Sequence, residues 1–212
     1  MYFLRPQDDF PPVELAGEDG LLAVSSNLTV KRLKEAYYSG IFPWYNQGQP
    51  VLWWSPDPRM VLFPEKLKIS KSMRPYLNQN KFRVTFDQEF ERVISECGKI
   101  DRKGQHGTWI TPEIKQAYSK LFLEGLVKSV EVWDGEKLVG GVYGVYLKNK
   151  GVFCGESMFS KKSNASKFGF IKLVQKLKKE GLKLIDCQIY TSHLESLGAE
   201  EIPRSEFLKY LQ

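Results

Sequence analysis

The sequence predicts an α+β protein: a small N-terminal domain, residues 1–63, then a larger domain, residues 64–212, with a mixed sheet packed against helices. Three observations lead there. Residues 40–64 are crowded with Pro, Gly and aromatics, which excludes long regular structure. Three strand-like runs, "VKSVEVW", "KLVGGVYGVYL" and "GVFCGESMF", are joined by the hairpin chemistry of "DGE" and "KNKG". A capped helical pattern then leads into one more apolar strand.

In chain order, Thr29 is a good N-cap for a first helix over 29–40. Leu33, Ala36 and Tyr37 make its apolar stripe, and Gly40 stops it. Within the Pro-rich stretch, "PVLWW" and "RMVLF" read as short strands, and the domain boundary falls near Pro64. A second helix is expected at 87–97 with Asp87 as cap and Gly98 after it. Thr111-Pro112 is a strong N-cap and first-turn pair for a third, which ends before Gly125. The three hairpin-linked strands follow. Ser163 or Asn164 then caps a helix to about Glu180, with Gly181 as its stop. A strand over 183–190, "KLIDCQIY", comes last.

Bulk composition narrows the function. No run approaches the ~18 consecutive apolar residues of a membrane span, and "MYFLRPQDDFPP" lacks a signal-peptide core, so a cytoplasmic protein is expected. Net charge is +6 and the pI about 9.1. That favours an anionic partner, nucleic acid first, although a lysine-rich solvated surface reads the same way. Cys97, Cys154 and Cys187 form no C-x-x-C pair, and His106 and His193 are the two histidines; no metal is expected, and the cysteines read as reduced core residues. A G-x-x-x-x-G-K-[ST] loop and a G-x-S-x-G elbow are both absent, which argues against a P-loop nucleotide site and a serine nucleophile.

The last strand holds polar residues where apolar ones are expected. By alternation Asp186 and Gln188 share one face, while Ile185, Cys187 and Ile189 share the other. Cys187 therefore points away from Asp186 and reads as core rather than as a nucleophile paired with His193. The same alternation puts Cys154, Glu156 and Met158 together, and Phe153, Gly155, Ser157 and Phe159 opposite. An ionised Glu156 there needs a partner, either a nearby Lys or a cationic group of a substrate. Trp44, Trp53, Trp54 and Trp109 lie in or beside loops, as core anchors or as a surface for an apolar group or a base. Lys66, Lys68, Lys71, Arg74, Lys81 and Arg83 form one basic cluster. Lys161, Lys162 and Lys167 flank a helix N-terminus, where phosphate binds well, although a solvated charged face fits equally.

Eight segments in order and in register carry a specific resemblance. They are "GIFPWY", "LWWSPDPRMVLFP", "GTWIT", "VGGVYGV", "FCGESMFS", "NASK", "LIDCQ" and "SLGAEEIPR", spanning about Gly20 to near the C-terminus. Together they resemble the leucyl/phenylalanyl-tRNA–protein transferase family. The resemblance implies an aminoacyltransferase that moves Leu or Phe from Leu-tRNA or Phe-tRNA to acceptor proteins with N-terminal Lys or Arg, marking them for degradation. It implies no ATP, metal or other cofactor, and a larger domain resembling the GCN5-related N-acetyltransferases. A monomer is the simplest reading.

Carried over residue by residue, the resemblance lines an aminoacyl pocket with Trp44, Trp109, Val142, Phe153, Met158, Ser160, Phe170 and Ile185. Asp186 and Gln188 become the catalytic pair, with Asp186 polarising Gln188; the tRNA's terminal ribose is the alternative proton relay. Glu156 meets the cationic acceptor, and Lys71, Arg74, Lys161 and Lys162 contact tRNA. Two positions depart from the family pattern: Val142, commonly Met, and Thr191, often Asn. Two other classes make different demands. A CoA-dependent acetyltransferase needs a pyrophosphate loop that "FSKKSNASKFG" lacks, and a plain RNA-binding module has no use for Asp186 beside Gln188.

Overall fold

The computed structural model describes residues 1–100 and 108–212; His106 and the glycine that opens "GTWIT" lie outside them. β1 (Tyr2–Leu4), β2 (Leu21–Ser25), β3 (Phe42–Pro43) and β4 (Val51–Trp54) form a small sheet in the order β1-β2-β4-β3, with α1 (Val30–Tyr38) between β2 and β3. The larger sheet contains β5 (Arg59–Leu62), β6 (Arg83–Phe86), β7 (Val127–Asp134), β8 (Lys137–Leu147), β9 (Val152–Ser160), β10 (Leu184–Gln188) and β11 (Glu200–Ile202). Its order is β11-β5-β10-β9-β8-β7-β6. The connections carry α2 (Arg74–Asn78), α3 (Phe90–Gly98), α4 (Pro112–Leu123), α5 (Ala165–Lys179), α6 (Ser192–Ser196) and α7 (Arg204–Leu208).

The hairpins behave as their turns require: β7–β8 and β8–β9 are antiparallel. β9 and β10 are parallel, which demands a crossover, and α5 supplies it. Alternate β8 residues serve opposite layers. Tyr143 and Val145 pack with Phe90, Ile114 and Tyr118 from α3 and α4, whereas Val142 and Tyr146 pack with Phe170, Leu173 and Val174 from α5. The result is a mixed sheet with helices on both faces.

The chain passes from the small sheet to the large one between Trp54 and Arg59, not near Pro64. Composition alone lets "RMVLF" join either sheet. One apolar core also runs through both, with Leu33, Phe42 and Trp53 clustered with Tyr118, Tyr143 and Phe207. The C-terminal segment returns to the N-terminal one. Gly40, at φ +73°, lies so close to α7 that an added Cβ would sit 2.7 Å from Leu208 Cδ2.

The helix caps follow the sequence where the side chain reaches its target. Thr29 Oγ1 accepts from Arg32 N, and Thr111 Oγ1 from Ile114 N, both at 3.2 Å. Two expected caps behave differently. Asp87 does not cap α3, whose N-cap is Glu89. It stands at φ +56° after β6, accepts from Ser129 N at 2.7 Å and pairs with Lys128, so tertiary partners take the carboxylate first. Asn164 precedes α5 in the left-handed region and makes no side-chain cap bond. The strand expected last is β10, since β11 follows it, and it ends at Gln188 rather than 190 because Gln188 turns left-handed at φ +68°.

Candidate active site

Two β-bulges on neighbouring strands shape the cleft. On β9, Tyr143 pairs with Ser157 and Gly144 with Gly155, so Glu156 is the extra residue. The bulge draws Cys154 O against Gly144, where any Cβ would collide with it. On β10, Asp186 pairs with Val61 and Gln188 with Met60, so Cys187 is the extra residue. Each bulge breaks the period-two reading. Cys154 and Phe159 fall in the α3/α4 layer, while Phe153 and Met158 fall in the α5 layer. Glu156 and Met158 are therefore not face-mates in the sense that alternation predicts.

The cleft encloses about 410 Å³ between Phe42-Pro43-Trp44 and the ends of β8–β10. Six of the residues expected in an aminoacyl pocket line it: Trp44, Trp109, Val142, Met158, Phe170 and Ile185. Two do not. Phe153 is buried beneath the sheet in the α5 layer. Ser160 is exposed at the end of β9, donates to Lys162 O at 2.7 Å and accepts from Ser166 N. Gly155, Glu156, Ser157, Cys187, Gln188, Ile189, Thr191, His193 and Leu194 complete the wall. Trp44 is held from behind, since Trp54 Nε1 donates to its carbonyl at 2.7 Å. Trp53 is a core anchor bonded to Ser25 Oγ at 2.9 Å.

Asp186 does not line the cleft, contrary to the shared face expected for it and Gln188. Its carboxylate is buried on the opposite side in a two-pronged pair with Arg59: Nε to Oδ1 at 2.8 Å and Nη2 to Oδ2 at 2.7 Å. Both side chains are 1% exposed. Arg59 itself lies between the Phe42 and Phe207 rings, its guanidinium carbon 4.8 and 4.7 Å from their centroids. The link to Gln188 is through the backbone, because Gln188 N donates to Asp186 Oδ1 at 2.9 Å. That bond holds the left-handed turn, which costs a non-glycine residue free energy unless its surroundings enforce it.

The Gln188 side chain instead meets Glu156, donating from Nε2 to Oε1 at 3.1 Å. Tyr118 Oη donates to Glu156 Oε2 at 2.9 Å, and the Tyr118 and Tyr37 hydroxyls share a short hydrogen bond. Burial pushes the Glu156 carboxyl from 4.5 up to about 7. The tyrosine hydroxyls pull it back, the Asp186 charge adds to the rise and Arg59 opposes it. Tyr37 and Tyr118 are raised well above 10, first by burial and then by the Glu156 charge, so both keep their protons. His193 is lowered from 6.5 by burial and by Lys167. Cys187 faces the cleft after all, but burial and the Asp186 charge raise its thiol well above 9, which keeps it protonated and unreactive.

Thr191 lines the cleft and caps α6 through Leu194 N at 3.2 Å. Among the basic residues, Lys71 and Arg74 are exposed at the start of α2. Lys161 pairs with Glu96 at 2.7 Å, and Lys162 pairs with Asp134. Among the described residues no His, Cys, Asp and Glu side chains gather as a metal site, and no helix is long and apolar enough to cross a membrane. Sequence reasoning missed Arg59, Tyr37 and Tyr118 as part of this constellation. Arg59 stood inside "SPDPR" with no sign of a partner, and the tyrosines sit on apolar helix stripes that read as core.

Comparison with known proteins gives the arrangement its context. Residues 61–212 match the family model described as leucyl/phenylalanyl-tRNA protein transferase, and residues 26–57 match the model of that enzyme's N-terminal domain. A leucyl/phenylalanyl-tRNA–protein transferase of Christiangramia forsetii is 76% identical, covering all of both chains. That of Flavobacterium johnsoniae is 58% identical over all of this chain and 99% of its own. That of Pseudomonas aeruginosa is 50% identical over 98% and 92%. Among solved structures, L-PGS of Bacillus licheniformis overlaps 82% of this chain and 57% of its own at 12% identity and a TM-score of 0.44. A GCN5-related N-acetyltransferase of Kribbella flavida overlaps 79% and 59% at 10% identity and a TM-score of 0.37. Both family models match in sequence order and meet where the chain crosses from the small sheet to the large one, and full-length relatives are more than half identical: the chain belongs to the leucyl/phenylalanyl-tRNA protein transferase family.

Proposed function

We propose that this chain transfers a leucyl or phenylalanyl group from its tRNA ester to the α-amino group of a protein that begins with Lys or Arg. One observation carries the reading beyond family membership: an apolar cleft that ends in a polar pair, Glu156 and Gln188. Its volume of about 410 Å³ lies in the usual range for small-ligand sites, ~300–1,000 Å³. Met158 adapts to branched and aromatic side chains alike. Burying a Leu or Phe side chain there is worth about 1.5–3 kcal/mol, enough to reject an alanyl donor by one to two orders of magnitude.

The chemistry needs little else. The donor ester is already activated, so ATP, CoA and metal have no role. Correct placement of amine and ester lowers the barrier by about 7–11 kcal/mol. In this reading Gln188 orients the amine, Asp186 holds Gln188 through its backbone amide, and Glu156 meets the cationic acceptor. Lys71, Arg74, Lys161 and Lys162 contact the tRNA. The enzyme works as a cytoplasmic monomer, and its product carries an N-terminus recognised for degradation.

The direct test incubates the chain with labelled Leu-tRNA and a peptide beginning with Arg, without ATP or CoA. Transfer of label to the peptide is expected. No transfer, or acetylation of the peptide when acetyl-CoA is supplied instead, would refute the reading.

A further inference from the structure

Making a peptide bond from an amine and an ester requires the nitrogen to shed protons. An acceptor α-amine, with a pKa of about 7.7–8.0, arrives at neutral pH mostly as ammonium. Among the described residues lining the cleft, Glu156, Cys187 and His193 carry titratable groups. Asp186 is out of reach. Oδ1 receives Arg59 Nε and Gln188 N, Oδ2 receives Arg59 Nη2, and the side chain is 1% exposed behind the β10 backbone. The Gln188 amide is not a base at neutral pH. Its Nε2 already donates to Glu156, which leaves its carbonyl oxygen free to accept from an incoming ammonium. That oxygen would hold the nitrogen beside the Glu156 carboxylate.

We propose that Glu156 takes the proton from the acceptor's α-ammonium, and that Asp186 is a positioning residue that never touches it. This rests on the function proposed above. The ammonium gives one proton to the Glu156 carboxylate, and the freed nitrogen lone pair attacks the ester carbonyl carbon. The C–N bond forms and the bond from that carbon to the terminal ribose oxygen of the tRNA breaks. The nitrogen's second proton leaves on that ribose oxygen as hydroxyl, and Glu156 releases its own proton to solvent.

The surroundings suit a base that works near neutrality. The groups facing Glu156 are Tyr37 of α1, Tyr118 of α4, Tyr143 of β8 through Tyr118, Cys154 on its own strand, Asp186 and Gln188 of β10, and Arg59 of β5. Burial lifts its carboxyl to about 7, close to the pH at which a general base is most effective. The Tyr37–Tyr118 pair donates to the far oxygen and stabilises the ionised form.

The test is single-turnover transfer from saturating Phe-tRNA to an Arg-initiated peptide across the neutral pH range. The unsubstituted chain should show an acidic limb with its midpoint near 7. Glu156→Gln should slow transfer about 10²–10⁴-fold with unchanged tRNA affinity, and its remaining rate should rise instead with the amine's own ionisation. Tyr118→Phe removes a hydrogen bond to the carboxylate, so its limb should move to higher pH. A merely structural role for either residue would not move the limb. Transfer by Glu156→Gln within about threefold of the parent at neutral pH overturns the inference. So does a limb that persists in Glu156→Gln and vanishes in His193→Gln, which would assign the base to the imidazole. No transfer by the unsubstituted chain would instead bring down the proposed function, and this step with it.

Discussion

Arg59→Met should be among the most damaging single substitutions in the molecule. Met fills most of the space between the Phe42 and Phe207 rings but removes both hydrogen bonds to Asp186, made at 2.8 and 2.7 Å. The carboxylate is then left in a site 1% exposed without its Arg59 counter-charge. Stranding one member of a buried pair costs about 3–5 kcal/mol. For a chain of this size that lowers the melting temperature by about 6–20 °C. Adding Asp186→Leu removes the stranded charge and leaves mainly the missing bond from Gln188 N, about 1 kcal/mol. The double variant should thus be more stable than Arg59→Met alone. Urea unfolding of the parent, both single variants and the double variant measures the coupling. A cost below about 1 kcal/mol for Arg59→Met, with additive effects in the double, would refute the reasoning. Transfer activity assayed below the unfolding transition should be lower in the double variant than in Arg59→Met, because only the double variant loses Asp186, which anchors the Gln188 amide.

Three further outcomes follow from the same geometry. Val142→Met adds length to a residue that faces Met158 across β8–β9 in the cleft wall. It should lower kcat/KM for Phe-tRNA relative to Leu-tRNA about tenfold, read by competition between differently labelled donors. Binding of tRNA should weaken steeply with salt. Lys71→Ala and Arg74→Ala each take one cation from the phosphates, and each should reduce the log–log slope by about 0.7–0.9. Lys161 and Lys162, already engaged with Glu96 and Asp134, should change it less. The Glu156 carboxyl titrates higher in the folded chain, near 7, than the 4.5 of an exposed group. Its contribution to stability is therefore complete below 4.5 and is lost as pH rises through 7. Unfolding free energies of parent and Glu156→Gln should diverge in favour of the variant as pH rises across that window; parallel curves would refute the shift.

What the sequence determined by itself was local. Thr29 and Thr111-Pro112 set helix starts, because their hydroxyls need only reach an amide three residues on. "DGE" and "KNKG" set hairpins, since a tight reversal lays the flanking strands side by side and antiparallel. The helix before "KLIDCQ" predicted a mixed sheet, and six of the pocket residues carried over by resemblance line one cleft. Asp87 was one local signal that failed, since Ser129 N and Lys128 from β7 offered its carboxylate better bonds than the helix did.

The tertiary structure decided which way the polar residues point. Alternation holds only while strand register is unbroken, and register belongs to pairs of strands rather than to one. The bulges at Glu156 and Cys187 exist because β8 and β5 pair with β9 and β10 on both sides of a single extra residue. The bulge at Cys187 brought Gln188 to the cleft side with Ile185 and Cys187, and left Asp186 on the opposite face. The two bulges also allowed Gln188 to reach Glu156 instead of the carboxylate two residues before it. Arg59 lies 127 residues from Asp186. No local pattern links the two. Only the folded core makes their pairing necessary, because a buried carboxylate must find its counter-charge wherever the sheet brings one.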